Sequence, residues 1–223
     1  MSEAKKDNRN PLFKGLKSLE GPFGSFDTLK LPEKPGELFL DWFAEALREE
    51  ITEPHAVTLS TVDEEGRPDS RTLILKDVQG ETFFFASGTE SRKGLQLRHH
   101  RGAAMNLYWP ALGRQIRLRG TVADTGADEG AEDFRRRSLE ARAVALTGKQ
   151  SRPLGSEEEL ETELAECREK LKEDPNLASP SWRLYALEID EAEFWQADPG
   201  RKHARVQYRR GGEGEWEHGL LWP

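Results

Sequence analysis

The chain has 223 residues, 35% of them hydrophobic, which is enough for the core of one domain and leaves little for a second. Lys and Arg number 33 against 41 Asp and Glu, a net charge of -8, so diffuse attraction to nucleic acid or anionic membrane is excluded and any basic site must be local. The single cysteine, Cys167, excludes an intramolecular disulfide and a cysteine-rich zinc site, and no run approaches the ~20 apolar residues a membrane helix needs; the expectation is a soluble, cytoplasmic protein with no metal.

Residues 1–34 are rich in Lys, Gly, Pro and Asn, hold Gly-Pro-Phe-Gly at 21–24 and show no sustained period, so a flexible N-terminal arm is expected, with a single domain over 35–223. After Pro35-Gly36, apolar residues at 39, 42, 43, 46 and 47 follow helical spacing and predict a first helix with one buried face. Short alternating runs then predict strands over 56–62, 72–76, 82–86, 105–109 and 115–122, with turns at Gly66-Arg67-Pro68 and Gln79-Gly80. Several short strands joined by Gly turns argue for an antiparallel barrel. A helical stretch over 127–145 is acidic and then basic at Arg135-Arg136-Arg137, and Ser156 with Glu159 is a capping box opening a solvated helix through Lys172. Strands are expected over 184–189 and 206–210, separated by Phe194-Trp195 and a Pro199-Gly200 turn, with a last strand over 216–222.

The segment Arg71-Thr72-Leu73-Ile74-Leu75-Lys76 carries most of the chemistry. Alternation along a strand places Arg71, Leu73 and Leu75 on one face and Lys76 on the other, which suits a phosphorylated ring ligand, especially with Ser91-Arg92-Lys93 downstream. Taken singly, Arg71 and Lys76 read as solvent-facing strand-end charges, Gln115 as a surface polar residue, Trp195 as a core aromatic, and Arg201, His203 and Arg205 as a surface basic cluster. As one strand, Arg201-x-His203-x-Arg205 would align three polar groups on one face.

An ordered set of short motifs changes that balance: Glu-Pro-x-Ala-x-x-Leu-x-Thr-Val-Asp at 53–63, Gly-Arg-Pro-x-Ser-Arg at 66–71, Ser-Arg-Lys-Gly at 91–94, Tyr-Trp-Pro at 108–110, Arg-Gln at 114–115, Lys-Gln-Ser at 149–151, Glu-Phe-Trp-Gln at 193–196 and Arg-x-His-x-Arg at 201–205. Together they resemble the pyridoxamine 5'-phosphate oxidases. The resemblance implies a mainly β, α+β fold with flanking helices, an FMN-binding split β-barrel of antiparallel Greek-key type. It also implies a homodimer holding flavin mononucleotide (FMN) at two interface clefts. Cofactor contacts would fall on Arg71, Thr72, Leu73, Ile74, Leu75, Lys76, Ala86 (through its backbone), Ser87, Arg92, Lys93, Gln115, Gln150, Ser151, Trp195 and Arg205. Arg and Lys donors suit a doubly charged phosphate, and polar edges with an aromatic cover suit the flavin.

The family reaction oxidises a primary amine or alcohol beside a pyridine ring, with hydride passing to the flavin and O2 giving H2O2. By resemblance Arg201 and His203 are the catalytic pair, and Lys76, Arg137, Arg201 and His203 bind substrate. The family's substrate-phosphate Tyr, Arg and Ser correspond here to Asp133, Arg137 and Ala141, so one of three donors survives and a carboxylate adds like charge. Three readings follow: a vitamin B6 phosphate oxidase, an oxidase of another heterocycle resembling the phenazine-biosynthesis branch, and a flavin-binding protein without a dedicated substrate. Nucleic-acid binding through Arg135–Arg137 is disfavoured by the net charge.

Overall fold

The computed structural model describes residues 10–223; the first nine residues of the expected arm lie outside the described residues. Helix α1 (Pro35–Arg48) opens on a proline, carries Glu37 in its first turn and Arg48 in its last, and so complements its own dipole. Its face of Leu38, Phe39, Trp42 and Ala46 is buried, Phe39 meeting Phe83 edge-on at 4.9 Å and Trp42 meeting Phe194 at 5.3 Å. From the preceding segment, Phe26 packs edge-on against Trp42 at 4.9 Å, and Tyr208 donates its hydroxyl to the Pro32 carbonyl at 3.0 Å.

Among the described residues eight antiparallel strands follow: β1 (Ala56–Val62), β2 (Pro68–Gln79), β3 (Thr82–Gly88), β4 (Gly102–Trp109), β5 (Arg114–Asp124), β6 (Trp182–Gln196), β7 (Ala204–Arg210) and β8 (Trp216–Leu220). Their order is β3-β2-β1-β4-β5-β6-β7-β8, and β3 also pairs with β6, closing β1 to β6 into a six-stranded barrel. The order β4-β1-β2-β3 within it is a Greek key. Strand β6 does two jobs. Its first half pairs with β3, its second half with β7, and the register with β5 skips Asp190 between Ile189 and Glu191, a bulge at the hand-over.

Three differences from the sequence expectations matter. The strand expected over 184–189 runs on through Phe194-Trp195, because the bulge restores an inward Phe194 where simple alternation breaks. Residues 92–99 form helix α2 (Arg92–His99), capped by the Ser91 side chain accepting from the Gly94 N–H at 3.2 Å; its polar sequence hides it from a hydrophobic-period reading. The stretch 127–145 is two helices, α3 (Ala127–Arg135) and α4 (Leu139–Leu146), since the exposed Ser138 side chain caps α4 by accepting from the Ala141 N–H at 3.3 Å. Helix α5 (Glu157–Glu173) begins at its expected Ser156 cap and packs Leu164, Cys167 and Leu171 against Phe134, Ala143 and Trp182 in a second core.

Candidate functional site

On β2 the alternation holds: Arg71, Leu73 and Leu75 face inward, with Leu75 buried in the core, while Thr72, Ile74 and Lys76 face outward. Arg71 donates to Thr61 Oγ1 at 2.6 Å, to the Leu59 carbonyl at 3.4 Å and to Gln96 Oε1 at 3.1 Å, and its guanidinium pairs with Asp69 at 2.8 Å. Arg92 reaches the same Asp69 oxygen at 3.1 Å. Burial alone would raise the Asp69 carboxyl pKa, but the Gln96 hydrogen bond and the two arginines outweigh it and hold it below its usual value.

Lys93 is the unusual member. It is 7% exposed and donates to Ser87 Oγ at 3.1 Å. Burial, reinforced by the neighbouring Arg71 charge, pushes its ammonium down to about 8, against the opposing pull of Asp69. Ser87 also lies 3.1 Å from Ser91 Oγ and donates at 3.4 Å to Gln150 Oε1, tying β3 to the α4–α5 connection. Asp69, Arg71, Thr72, Leu73, Ala86, Arg92, Lys93, Gln150 and Ser151 line one open cleft of about 430 Å³. Ser151 sits there at φ +70°, a left-handed backbone that a serine rarely adopts and that is found disproportionately at binding sites. Three cations against one carboxylate suit an anion rich in acceptor oxygens.

A second group stands elsewhere. Gln115, Trp195 and Arg205 are in register across β5, β6 and β7, forming one polar and aromatic row. Arg205 is fixed by Glu193, which accepts from its Nε at 2.8 Å and also pairs with Arg117 at 2.8 Å. None of Gln115, Trp195, His203 or Arg205 lines the cation cleft of the same chain. Strand β7 starts only at Ala204, so the alternation expected for Arg201, His203 and Arg205 does not apply: the Pro199-Gly200 turn continues through Arg201, which is exposed at φ +67°. His203 instead lies against Trp195, ring centres 4.8 Å apart, and accepts the Asp198 N–H at Nδ1 (3.1 Å), which leaves Nε2 to carry the proton of the neutral ring.

A third cluster joins β2, α3 and β6. Lys76 pairs with Asp133 Oδ1 at 3.1 Å, and Asp133 Oδ2 accepts from Trp182 Nε1 at 2.8 Å. Arg137 lies over the Trp182 ring at 4.1 Å, and its buried Nε has no hydrogen-bond partner. Arg137 and Trp182 line a further cavity of about 300 Å³ with Val144, Leu154 and Leu160, and this cavity shares Gln150 with the cation cleft. Asp69 and Gln96 belong to the site without a signal named above, and Thr61, Glu193 and Trp182 gain from the structure a role that the motifs alone do not assign. Asp69 was legible, two residues from Arg71 on one strand face; Gln96 was not, because its helix carries no apolar stripe.

A six-stranded Greek-key barrel with a cation cleft on one side and an aromatic row on its strand extension defines a split-barrel protein. Residues 43–171 match the family described as pyridoxamine 5'-phosphate oxidase, and residues 182–223 match the pyridoxine 5'-phosphate oxidase C-terminal dimerisation region. The chain belongs to the pyridoxamine 5'-phosphate oxidase family. A pyridoxine/pyridoxamine 5'-phosphate oxidase of Legionella pneumophila is 34% identical over 95% of this chain and 99% of its own length. That of Ectopseudomonas mendocina is 41% identical over 82% of this chain and 86% of its own. Among solved structures, PhzG from Burkholderia lata, in complex with tetrahydrophenazine-1-carboxylic acid, aligns with a TM-score of 0.83 at 29% identity, covering 91% of this chain and all of that one. A pyridoxamine 5'-phosphate oxidase-related, FMN binding protein from Nostoc punctiforme shares the fold with a TM-score of 0.69 at 20% identity, covering 86% of this chain and 100% of its own.

Proposed function

We propose that the protein is a cytoplasmic, homodimeric, FMN-dependent oxidase of a small heterocyclic substrate. The observation that carries this reading is the cation cleft: the buried ammonium of Lys93, which donates to Ser87, lines one space with the guanidinium groups of Arg71 and Arg92. That donor set fits a phosphate monoester, and Thr72, Leu73, Ala86, Gln150 and Ser151 extend the wall along which the rest of FMN would lie. The outward Ile74 and Lys76, and Leu75 through its backbone, complete the strand under it.

Bound FMN supplies a two-electron acceptor that O2 reoxidises, with release of H2O2. The protein's part is to orient the donor carbon and to handle charge. Because Gln115, Trp195 and Arg205 do not line the cleft of their own chain, a second subunit is what supplies them, and the C-terminal dimerisation region contains two of the three. His203, with Nε2 protonated and its ring on Trp195, and the exposed Arg201 would flank the substrate and hold a proton at its polar edge. Lys76 and Arg137 would hold the substrate's anionic end.

The test is anaerobic rapid mixing of FMN-loaded protein with pyridoxine 5'-phosphate, pyridoxamine 5'-phosphate or a dihydrophenazine carboxylic acid while the flavin absorbance is followed. Bleaching by at least one of them, recovered on admitting O2 with release of H2O2, is expected. Bound flavin that none of them bleaches would favour a flavin-binding protein without a substrate. The phenazine-type substrate is the second reading, favoured by Asp133 and Ala141 in place of phosphate donors and by the likeness to PhzG.

A further inference from the structure

Glu193 is a carboxylate in an unusual place. Strand β6 turns Ala192 and Phe194 into the core, so Glu193 and Trp195 share the outward face, yet Glu193 is only 7% exposed. A buried charge needs partners, and both of its oxygens have one. Oε2 accepts from Nη1 of Arg117, which stands directly opposite on β5, at 2.8 Å. Oε1 accepts from Arg205 Nε at 2.8 Å and pairs with Nη2 of the same guanidinium at 2.8 Å. On β7, however, the residue opposite Glu193 is Gln207, and Arg205 stands opposite Trp195. The Arg205 guanidinium is therefore drawn diagonally along the sheet face, from the Trp195 row to the Glu193 row. Its third nitrogen, Nη1, donates to the Trp222 carbonyl at 2.8 Å. An arginine held from two sides keeps one orientation, with further N–H groups on Nη1 and Nη2 that no other described residue takes up.

From this geometry we infer that Glu193 is a positioning residue for the flavin: it touches no ligand itself, and it sets the direction in which Arg205 presents its remaining N–H groups to an FMN held in the partner subunit's cleft. The inference rests on the proposed FMN reading and deepens it. The oxidised flavin ring carries no net charge at pH 7, so the charge of Glu193 neither attracts nor repels it strongly, and its effect on flavin binding passes through Arg205. Without Glu193 the long side chain is released to a set of rotamers, one of them over the Trp195 ring opposite. Ordering it again when FMN binds then costs affinity.

The test is a double-mutant cycle on FMN affinity, read by the quenching of flavin fluorescence as FMN is titrated with the flavin-free protein. Glu193→Leu removes both acceptor oxygens at similar volume, and Arg205→Met removes the guanidinium while keeping an unbranched stem. Each single change is expected to weaken FMN binding about tenfold or more, the scale of a charged hydrogen bond. The double variant is expected to bind within about twofold of Arg205→Met alone, since Glu193 has then lost the group it acts through. A residue that merely stabilised the fold would weaken binding by the same factor in both backgrounds. Losses that multiply therefore overturn the inference, and so does wild-type affinity in Glu193→Leu. Should Glu193→Leu not fold, Glu193→Gln, which offers two arginines a single acceptor oxygen, takes its place in the cycle with a loss of about threefold or more expected and the same outcomes decisive. Failure of the wild-type protein to take up FMN, read from its absorbance after gel filtration, overturns the oxidase reading and the inference with it. FMN bound by the wild type and held as tightly by Arg205→Met removes the inference alone.

Discussion

At the scale of single residues, the cleft is an arrangement of charges whose balance can be titrated. With its ammonium near 8, Lys93 is charged at pH 7 and loses its proton as pH rises past that value, well below the 10.5 of a free lysine. A phosphate ligand is held by the charged form, so FMN affinity should fall between pH 7 and 9.5. Fluorescence-quenching titrations should show that fall with a midpoint near the free protein's Lys93 value, and Lys93→Met should bind weakly with no such midpoint. Asp69 acts in the opposite sense, since it already occupies Arg71 and Arg92 at 2.8 and 3.1 Å. Its removal in Asp69→Asn should tighten FMN binding by about tenfold, the scale of one screened like-charge contact. Weaker binding would show instead that Asp69 orients the two arginines for the phosphate.

At the scale of elements, two close approaches hold the site in shape. Gly94 opens α2 directly under the end of β3: a Cβ there would lie 2.5 Å from the Gly88 and Thr89 carbonyl oxygens. Gly94→Ala must therefore push the first turn of α2, and Lys93 with it, away from Ser87, at a cost of about 1–3 kcal/mol. FMN affinity and thermal midpoint should drop together; an unchanged affinity would mean that α2 does not position the phosphate site. Arg114 of β5 is the clamp between α1 and the barrel. It is buried, pairs with Glu45 of α1 at 2.8 Å, donates to Gln196 at 2.9 Å and lies over Trp42 at 4.3 Å. Glu45 is one-third exposed, so Arg114→Ala should cost about 3 kcal/mol, the low end for breaking a buried pair, measurable by urea unfolding. At this scale the Arg114-Gln115 motif is two-sided: its arginine holds the fold, while its glutamine joins the outward row.

At the scale of the whole molecule, the barrel separates what the sequence motifs list together. The cation cleft sits on β2, β3 and α2; the Gln115–Trp195–Arg205 row sits on the β5–β6–β7 face, and none of its three residues lines the cleft of the same chain. If two chains complete each site, flavin release and subunit dissociation are one equilibrium. Dilution of the FMN-loaded protein should then release flavin in step with the fall from twice the chain mass, followed by sedimentation and fluorescence; a flavin-loaded monomer would overturn this. The sequence by itself determined much. The strands of the barrel, the alternation that turns Arg71 inward and Lys76 outward, and the Ser156 helix cap are local, period-governed features, and periods are written in neighbouring residues. The polar helix α2 and the bulge that carries β6 past Asp190 are not, because each is stabilised by partners far away in the chain, whereas the break at Ser138 rests on a local cap to the Ala141 N–H. The site follows the same division. Its residue types were legible, but the burial of Lys93, the holding of Arg205 by Glu193 and the commitment of Lys76 to Asp133 were decided only by tertiary structure. Charge interactions depend on distance and desolvation, and folding sets both between residues that sequence order keeps apart.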